Sequence, residues 1–267
     1  MAVSMIVDGR TIAAEIYADI AKEIQAASIS PRLAVITCAP TPATVQYLAL
    51  KERKAKEVGI TMVTVTLPED TSTDACVEEI QKAVETADSV IVQLPFPSHI
   101  DIDGVLAAVP PSHDADALNP ETTAVLSPVV AACKEILKRN EVAIAEKHVT
   151  IIGSGRLVGK PAAKWFADMG AAISVVTKDT ADLPYYTMHA DIIVSGAGVA
   201  NLITPEMVPE GVIILDAGTS EDGGELRGDA SPACSEKASL FTPVPGGIGP
   251  VTVALLLRNV VTLALTK

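Results

Sequence analysis

The sequence predicts an α/β protein of two domains, each built on a mainly parallel sheet, and three observations predict it. Short β-branched runs alternate with helical segments along most of the 267 residues, the pattern that right-handed helical crossovers between parallel strands produce. Hydrophobic residues make up 49% of the chain but aromatic residues only 3%, so the core is made of Ala, Val, Ile and Leu, which suits strands buried on both faces. A glycine-rich stretch, G-S-G-R-L-V-G-K-P at 153–161, separates a β-branched run from a helical one in the second half.

The elements follow in order. A helix is expected from Asp8 to about Ala27. R-L-A-V-I-T-C (32–38), T-M-V-T-V-T-L (61–67) and S-V-I-V-Q-L (89–94) read as strands. The segments 44–58 and 73–86 between them read as helices, the second capped by Thr71, Ser72 or Thr73. Residues 110–128 hold prolines, His113 and spaced aspartates with few apolar positions, and read as a loop of the kind that often carries function. A helix from about Pro128 to Asn140 leads to a second series. Its strands are H-V-T-I-I-G, A-I-S-V-V-T, A-D-I-I-V-S-G and V-I-I-L-D-A-G. The apolar stretch 251–265 reads as a final helix. The domain change is placed in the helix near 129–140, giving domains at 1–128, completed by a carboxyl-terminal helix at 250–267, and at 129–249.

The net charge of −13 argues against a general nucleic-acid binder, which needs a basic face. It leaves room for a small anionic ligand, since local amides and cations can oppose the global charge. Cys38, Cys76, Cys133 and Cys234 form no C-x-x-C pair and the histidines are equally scattered, so no metal site is expected and the cysteines read as buried free thiols. The apolar run at the start is too short for a signal peptide and no segment has transmembrane length. A soluble cytoplasmic protein is expected.

Two local patterns carry chemistry. In T-V-Q-Y-L-A-L-K (44–51) the spacing puts Tyr47 and Lys51 on one helix face. The pair is either a surface lysine lying over a tyrosine ring or a catalytic lysine beside a substrate-positioning phenol. In H-V-T-I-I-G-S-G-R-L-V-G-K-P (148–161), Gly153, Gly155 and Gly159 would let the backbone approach a ligand, and the following helix start offers free amides to a phosphate. The spacing is G-x-G-x-x-x-G, so the alternative is an ordinary tight turn; strand before and helix after favour a dinucleotide. The next strand ends at Thr177-Lys178, where a ribose edge would lie. Lys178 and Arg156 are either solvated cations or the neutralising partners of a 2′-phosphate, which would favour NADP over NAD.

Four separated segments point the same way. They are K-E-R-K-A-K-E-V-G-I after Tyr47, V-Q-L-P-F-P (92–97), G-S-G-R-L-V-G-K-P (153–161) and T-P-V-P-G-G-I-G-P-V-T (242–252). In this order, over essentially the whole chain, they resemble the bifunctional methylenetetrahydrofolate dehydrogenase/methenyltetrahydrofolate cyclohydrolase family. The resemblance implies an amino-terminal α/β domain and a Rossmann-type domain, linked by two long helices with a cleft between them. It implies a homodimer of one-carbon metabolism that oxidises 5,10-methylenetetrahydrofolate with NADP and hydrolyses the methenyl product to 10-formyltetrahydrofolate, feeding purine biosynthesis. Lys51 then matches the catalytic lysine, Tyr47 the tyrosine against the folate, and Gln93 the glutamine that bonds the lysine. Asp116 matches the aspartate that holds the pterin. Pro95, Pro243, Pro245, Gly246, Gly247 and Ile248 fall in the folate pocket. Gly153, Ser154, Gly155, Arg156, Val158, Gly159, Thr177, Lys178, Gly196 and Ile248 fall at the cofactor.

The chain departs from the family pattern in places. Gly153-Ser154-Gly155 replaces the usual G-R-S, Thr177 and Lys178 stand where histidine and serine are usual, and Ala117 stands where a glycine follows the pterin aspartate. The loop after Asp116 is short, with Val125-Leu126-Ser127-Pro128 in place of P-C-T-P. NAD therefore stays open as the cofactor. So do a cyclohydrolase on a degenerate cofactor domain and a non-catalytic folate- or nucleotide-binding paralogue. A short-chain dehydrogenase is rejected, because there the Tyr-x-x-x-Lys pair follows the glycine turn and here it precedes it.

Overall fold

The computed structural model describes residues 4–222 and 224–267; residues 1–3, which open the first apolar run, lie outside it. The elements run β1 (Met5–Ile6), α1 (Gly9–Ala27), β2 (Arg32–Cys38), α2 (Pro42–Val58), β3 (Thr61–Leu67), α3 (Thr73–Val84), β4 (Ser89–Gln93) and α4 (Ile102–Ala107). They continue as α5 (Pro128–Arg139), β5 (His148–Ile152), α6 (Gly159–Asp168), β6 (Ala172–Val176), α7 (Leu183–Met188), β7 (Ile192–Ser195) and β8 (Ile213–Asp216). The chain ends with β9 (Ser220–Asp222), β10 (Glu225–Arg227), β11 (Leu240–Phe241) and α8 (Ile248–Ala264). Two compact units result: one comprises Ala14–Pro128 with Val253–Lys267, the other the segment up to Ala13 with Val129–Thr252.

The first unit is a parallel sheet of order β3-β2-β4. The central strand β2 is buried from Leu33 to Cys38, which is why its sequence is a continuous apolar run without alternation. Its local punctuation agrees with the fold. Thr41 accepts from Thr44 N at the start of α2, and Gly59 closes that helix in the left-handed region at φ 91°, where a Cβ would be strained. Ser72 caps α3 and Asp101 caps α4. Ile36, Ile80, Val90, Val92 and Val105 meet in its core.

The second unit is a six-stranded parallel sheet of order β1-β11-β8-β7-β5-β6, with β9 and β10 as a separate antiparallel hairpin. Numbered from β5, the strands read 2-1-3-4-5, a doubly wound order whose direction of winding reverses between β5 and β7. Open sheets of this kind bind ligands outside the carboxyl ends of the strands at that reversal. The domain expectation needs one correction here. Met5 and Ile6 pair with Leu240 and Phe241, so the chain's first strand belongs to the second unit's sheet rather than to the amino-terminal domain. A two-residue strand has no periodicity to read, and its partner lies more than two hundred residues away. The short helices α4 and α7, the hairpin and β11 were likewise not expected.

All four cysteines are free and buried. Among the described residues no cluster of His, Cys, Asp or Glu is placed to hold a metal ion, and no helix is long and apolar enough to cross a membrane.

Candidate active site

In the first unit, α2 carries Tyr47 and Lys51 one turn apart, and the Lys51 ammonium lies 4.6 Å from the centre of the Tyr47 ring. Gln93, the last residue of β4, accepts from Lys51 Nζ at 2.8 Å. Its own Nε2 donates to the Leu94 carbonyl at 2.9 Å, which fixes the amide so that the oxygen faces the amine. Lys51 is only 4% exposed. Burial lowers its pKa from the ordinary lysine value, with the Asp116 carboxylate acting in the opposite sense. Pro95 is exposed on the turn that follows Gln93, and the Leu94–Pro95 bond is cis.

Asp116 stands on the loop that follows α4. Val90 N donates to the His113 carbonyl at 2.7 Å, docking the loop beside β4. The buried Asp114 then accepts from Asn119 N at 2.8 Å and from Thr122 Oγ1 at 2.9 Å. Asn259 on α8 donates its side-chain amide to both Ala115 and Leu126 carbonyls at 2.8 Å, tying the two ends of the loop together. No sequence pattern marks either residue for this support: Asp114 takes donors from five and eight positions on, and the partners of Asn259 lie more than a hundred residues away.

The Asp116 carboxyl is pushed up to about 6 by burial, partly offset by Lys51, with Asp114 adding repulsion. An unfolded aspartate titrates near ~3.9, so the folded state binds the extra proton between those two values. Stability contributed by protonated Asp116 is present below pH ~4 and is lost as pH rises through 6. We therefore expect Asp116→Asn to gain on the wild type by about 1–3 kcal/mol between pH 4 and pH 8. Urea unfolding across that range measures it; parallel pH profiles would contradict the shift.

Ala117 sits at φ 50°, in the left-handed region that glycine occupies without strain. The backbone thus holds a conformation that suits glycine while bearing a methyl group. Ala117→Gly is expected to stabilise the chain by about 0.5–1 kcal/mol, read as a higher urea midpoint.

In the second unit the glycine-rich turn lies at the winding reversal. Gly153 has φ 95°. A Cβ on Gly153 would stand 2.9 Å from the Gly196 carbonyl oxygen, and one on Gly159 2.0 Å from the Gly153 carbonyl oxygen. The turn is thus packed backbone on backbone, with Gly196 from the end of β7 against it. Val158 precedes α6 without a side-chain cap. Lys160 N donates to the Gly155 carbonyl at 3.0 Å and Pro161 has no N–H, so Gly159 N is the donor at the helix start that a ligand or solvent can take. Ser154 and Gly155 are exposed, and a side chain at 155 would meet nothing within 4 Å. A glycine-rich turn that opens a helix at the winding reversal is the kind of place where phosphates are bound. Beyond β6, Thr177 N donates to Thr180 Oγ1 at 3.0 Å, closing a turn that presents Lys178 outward. Arg156 lies half-buried on the glycine turn.

The P-V-P-G-G loop belongs to the same unit. Thr242 is fully buried and accepts from Asp216 N at 2.7 Å. Gly247 N bonds the Pro243 carbonyl at 2.7 Å and Gly9 N the Gly246 carbonyl at 2.9 Å. The Val244–Pro245 bond is cis, and Ile248 is buried as the first residue of α8. A shallow cavity is lined by Val7, Asp8, Arg10, Pro243, Pro245 and Gly246. The D-G-R segment at 8–10 is therefore part of this loop's setting, which its reading as a helix start did not foresee.

The arrangement is that of a two-domain α/β protein carrying a dinucleotide-type turn on one parallel sheet and a buried lysine–carboxamide–phenol group on another. The chain belongs to the tetrahydrofolate dehydrogenase/cyclohydrolase family: its catalytic-domain model matches residues 7–116 and its NAD(P)-binding-domain model residues 127–267. A bifunctional FolD protein of Methanospirillum hungatei is 36% identical, covering 97% of each chain. The FolD methylenetetrahydrofolate dehydrogenase/cyclohydrolase structure of Campylobacter jejuni superposes with a TM-score of 0.94 at 32% identity, over 98% of this chain and 99% of that one. That of Trypanosoma brucei, complexed with NADP and an inhibitor, superposes with a TM-score of 0.93 at 31% identity and 98% coverage of both.

Proposed function

We propose that this chain oxidises 5,10-methylenetetrahydrofolate with NADP and hydrolyses the 5,10-methenyl product to 10-formyltetrahydrofolate, as a homodimeric cytoplasmic enzyme that supplies purine biosynthesis. The observation that carries the reading is Lys51, buried, bonded to Gln93 and stacked on Tyr47, in a chain that matches both domains of the family.

The methenyl bridge is an electrophilic amidinium, and its hydrolysis needs a water brought onto that carbon and a base to take the water's proton. A lysine of ordinary pKa, ~10.4, is a poor base at neutral pH. Burial lowers Lys51, and a cationic substrate beside it would lower it further. The neutral amine then accepts one proton of the water as the C–O bond forms and returns it to the ring nitrogen as the C–N bond opens. The adduct's remaining hydroxyl proton leaves to solvent as the formyl C=O forms. Gln93 orients the amine without adding a charge. Tyr47 offers a ring face to the pterin, Asp116 accepts from its amino group and ring N–H, and Pro95 supplies a wall.

A bound nicotinamide cofactor supplies the hydride acceptor for the first step. The residues that would hold it are Gly153, Ser154, Gly155, Arg156, Val158 and Gly159 at the pyrophosphate, Thr177 and Lys178 at the adenosine ribose, and Gly196 and Ile248 toward the nicotinamide. Hydride loss from the methylene bridge needs no acid or base from the protein, only proximity and orientation. The outward Lys178 favours the 2′-phosphate of NADP.

The test is absorbance with purified chain, 5,10-methylenetetrahydrofolate and either NADP or NAD. Cofactor reduction supports the dehydrogenase, and the ratio of the two rates gives the preference. Hydrolysis of added methenyltetrahydrofolate without reduction of either cofactor would leave a cyclohydrolase alone, and neither activity would leave a binding protein.

A further inference from the structure

Asp229 is fully buried just beyond the β9–β10 hairpin, and its carboxylate takes donors from one short turn. Its Oδ2 accepts from Ser195 Oγ at 2.6 Å and Ala197 N at 2.7 Å, and its Oδ1 from Val199 N at 2.8 Å. Those donors come from the last residue of β7 and the turn after it, at the winding reversal, where Ala197, Gly198 and Val199 are exposed. The same turn packs on the glycine-rich turn: a Cβ on Gly196 would stand 2.6 Å from Val158 Cβ. Any shift of 196–199 therefore reaches the start of α6.

The carboxylate is itself held. Ala230 N donates to Asp216 Oδ2 at 2.8 Å, and Ile203 N to the Asp229 carbonyl at 2.9 Å. A Cβ on Gly218 would stand 2.1 Å from Asp229 Cγ, so no room remains for the side chain to swing. An acceptor-only group suits three donors, and charge-assisted bonds are the stronger kind. An amide at the same place would turn an N–H toward an N–H.

We propose that Asp229 is a positioning residue for the nicotinamide cofactor: it anchors the turn 195–199 against the glycine-rich turn and thereby sets cofactor affinity. The proposal rests on the reading of the second unit as a dehydrogenase cofactor domain.

Two variants of the full chain test it, Asp229→Asn and Ser195→Ala, by titrating NADPH fluorescence and by steady-state kinetics of both activities. Asp229→Asn is expected to weaken NADPH binding and raise the cofactor KM about 10- to 100-fold, with dehydrogenase kcat at saturation and cyclohydrolase activity within about threefold of the wild type. Ser195→Ala removes one donor and is expected to raise the same KM about threefold to tenfold. A purely structural role would lower both activities together through the folded fraction and leave the cofactor KM unchanged, which would overturn the proposal. Should Asp229→Asn fail to fold, an unchanged NADPH affinity in Ser195→Ala overturns it instead. A wild type that binds NADPH or NADH without turnover sinks the dehydrogenase reading and leaves the binding comparison valid; one that binds neither overturns both.

Discussion

Lys51→Met is expected to lower methenyltetrahydrofolate hydrolysis by roughly 10²–10⁴-fold while the chain stays folded. Methionine matches the length of the lysine stem and suits a site that is 4% exposed. Losing the bond to Gln93, 2.8 Å in the wild type, costs stability. Removing an ammonium that burial disfavours returns some of it. The thermal midpoint should accordingly move by only a few degrees, about what ~1 kcal/mol produces in a protein of this size. The dehydrogenase should suffer less, within about tenfold, because hydride loss from the methylene bridge asks no proton of the protein. The measurement is loss of methenyl absorbance, with cofactor reduction and circular dichroism alongside. Hydrolysis within tenfold of the wild type would remove Lys51 from the role of base.

The Lys51 site was legible for a definite reason. Tyr47 and Lys51 share a helix face by spacing alone, and the V-Q-L-P segment ends a strand whose apolar run could be read directly. The bounds of β2 and β3 agree residue for residue with their β-branched runs: β2, buried from its second residue on, is written as a nearly continuous apolar segment, and β3, largely exposed at the sheet edge, as a run of Thr and Val. What spacing could not show is that Gln93, forty-two positions on, would turn its oxygen to the amine. That follows from the parallel pairing of β4 with β2 and the bond to Leu94. Supports of the site were less legible still. Asn259, Asp216 and Asp229 work through bonds to backbone far along the chain, and a single Asp or Asn in sequence looks the same whether it caps a turn or anchors a loop. β1 was invisible because its two residues are a strand only by virtue of β11. The family resemblance supplied the roles; the physical pattern supplied the sheets that carry them.

Gly159→Ala should produce the converse of Lys51→Met: loss of the dehydrogenase with the cyclohydrolase retained. The added methyl carbon would stand 2.0 Å from the Gly153 carbonyl oxygen, 2.8 Å from its carbon and 2.9 Å from Ser154 Cα. All of these are backbone atoms, so no flexible side chain can yield. Either α6 draws back from the turn or the turn opens. In both cases the Gly159 amide and the turn before it would leave the position at which a pyrophosphate would meet them. Displacements of about 1 Å in such positioning groups cost on the order of 10²-fold in rate, and a loss of that order is expected in kcat/KM for the cofactor. The lysine site stands on a separate sheet with its own core, so hydrolysis of added methenyltetrahydrofolate should stay within a few-fold. Gly155→Ala is the control, since a side chain there meets nothing within 4 Å and should leave the protein's own packing untouched. Cofactor kinetics in Gly159→Ala equal to those of the wild type would mean that the glycine turn is a tight βα connection and nothing more. Loss of both activities together would point to a collapsed unit and not to a displaced cradle. The selective outcome, set against the opposite selectivity of Lys51→Met, would assign the two reactions to two separately built pieces of one chain.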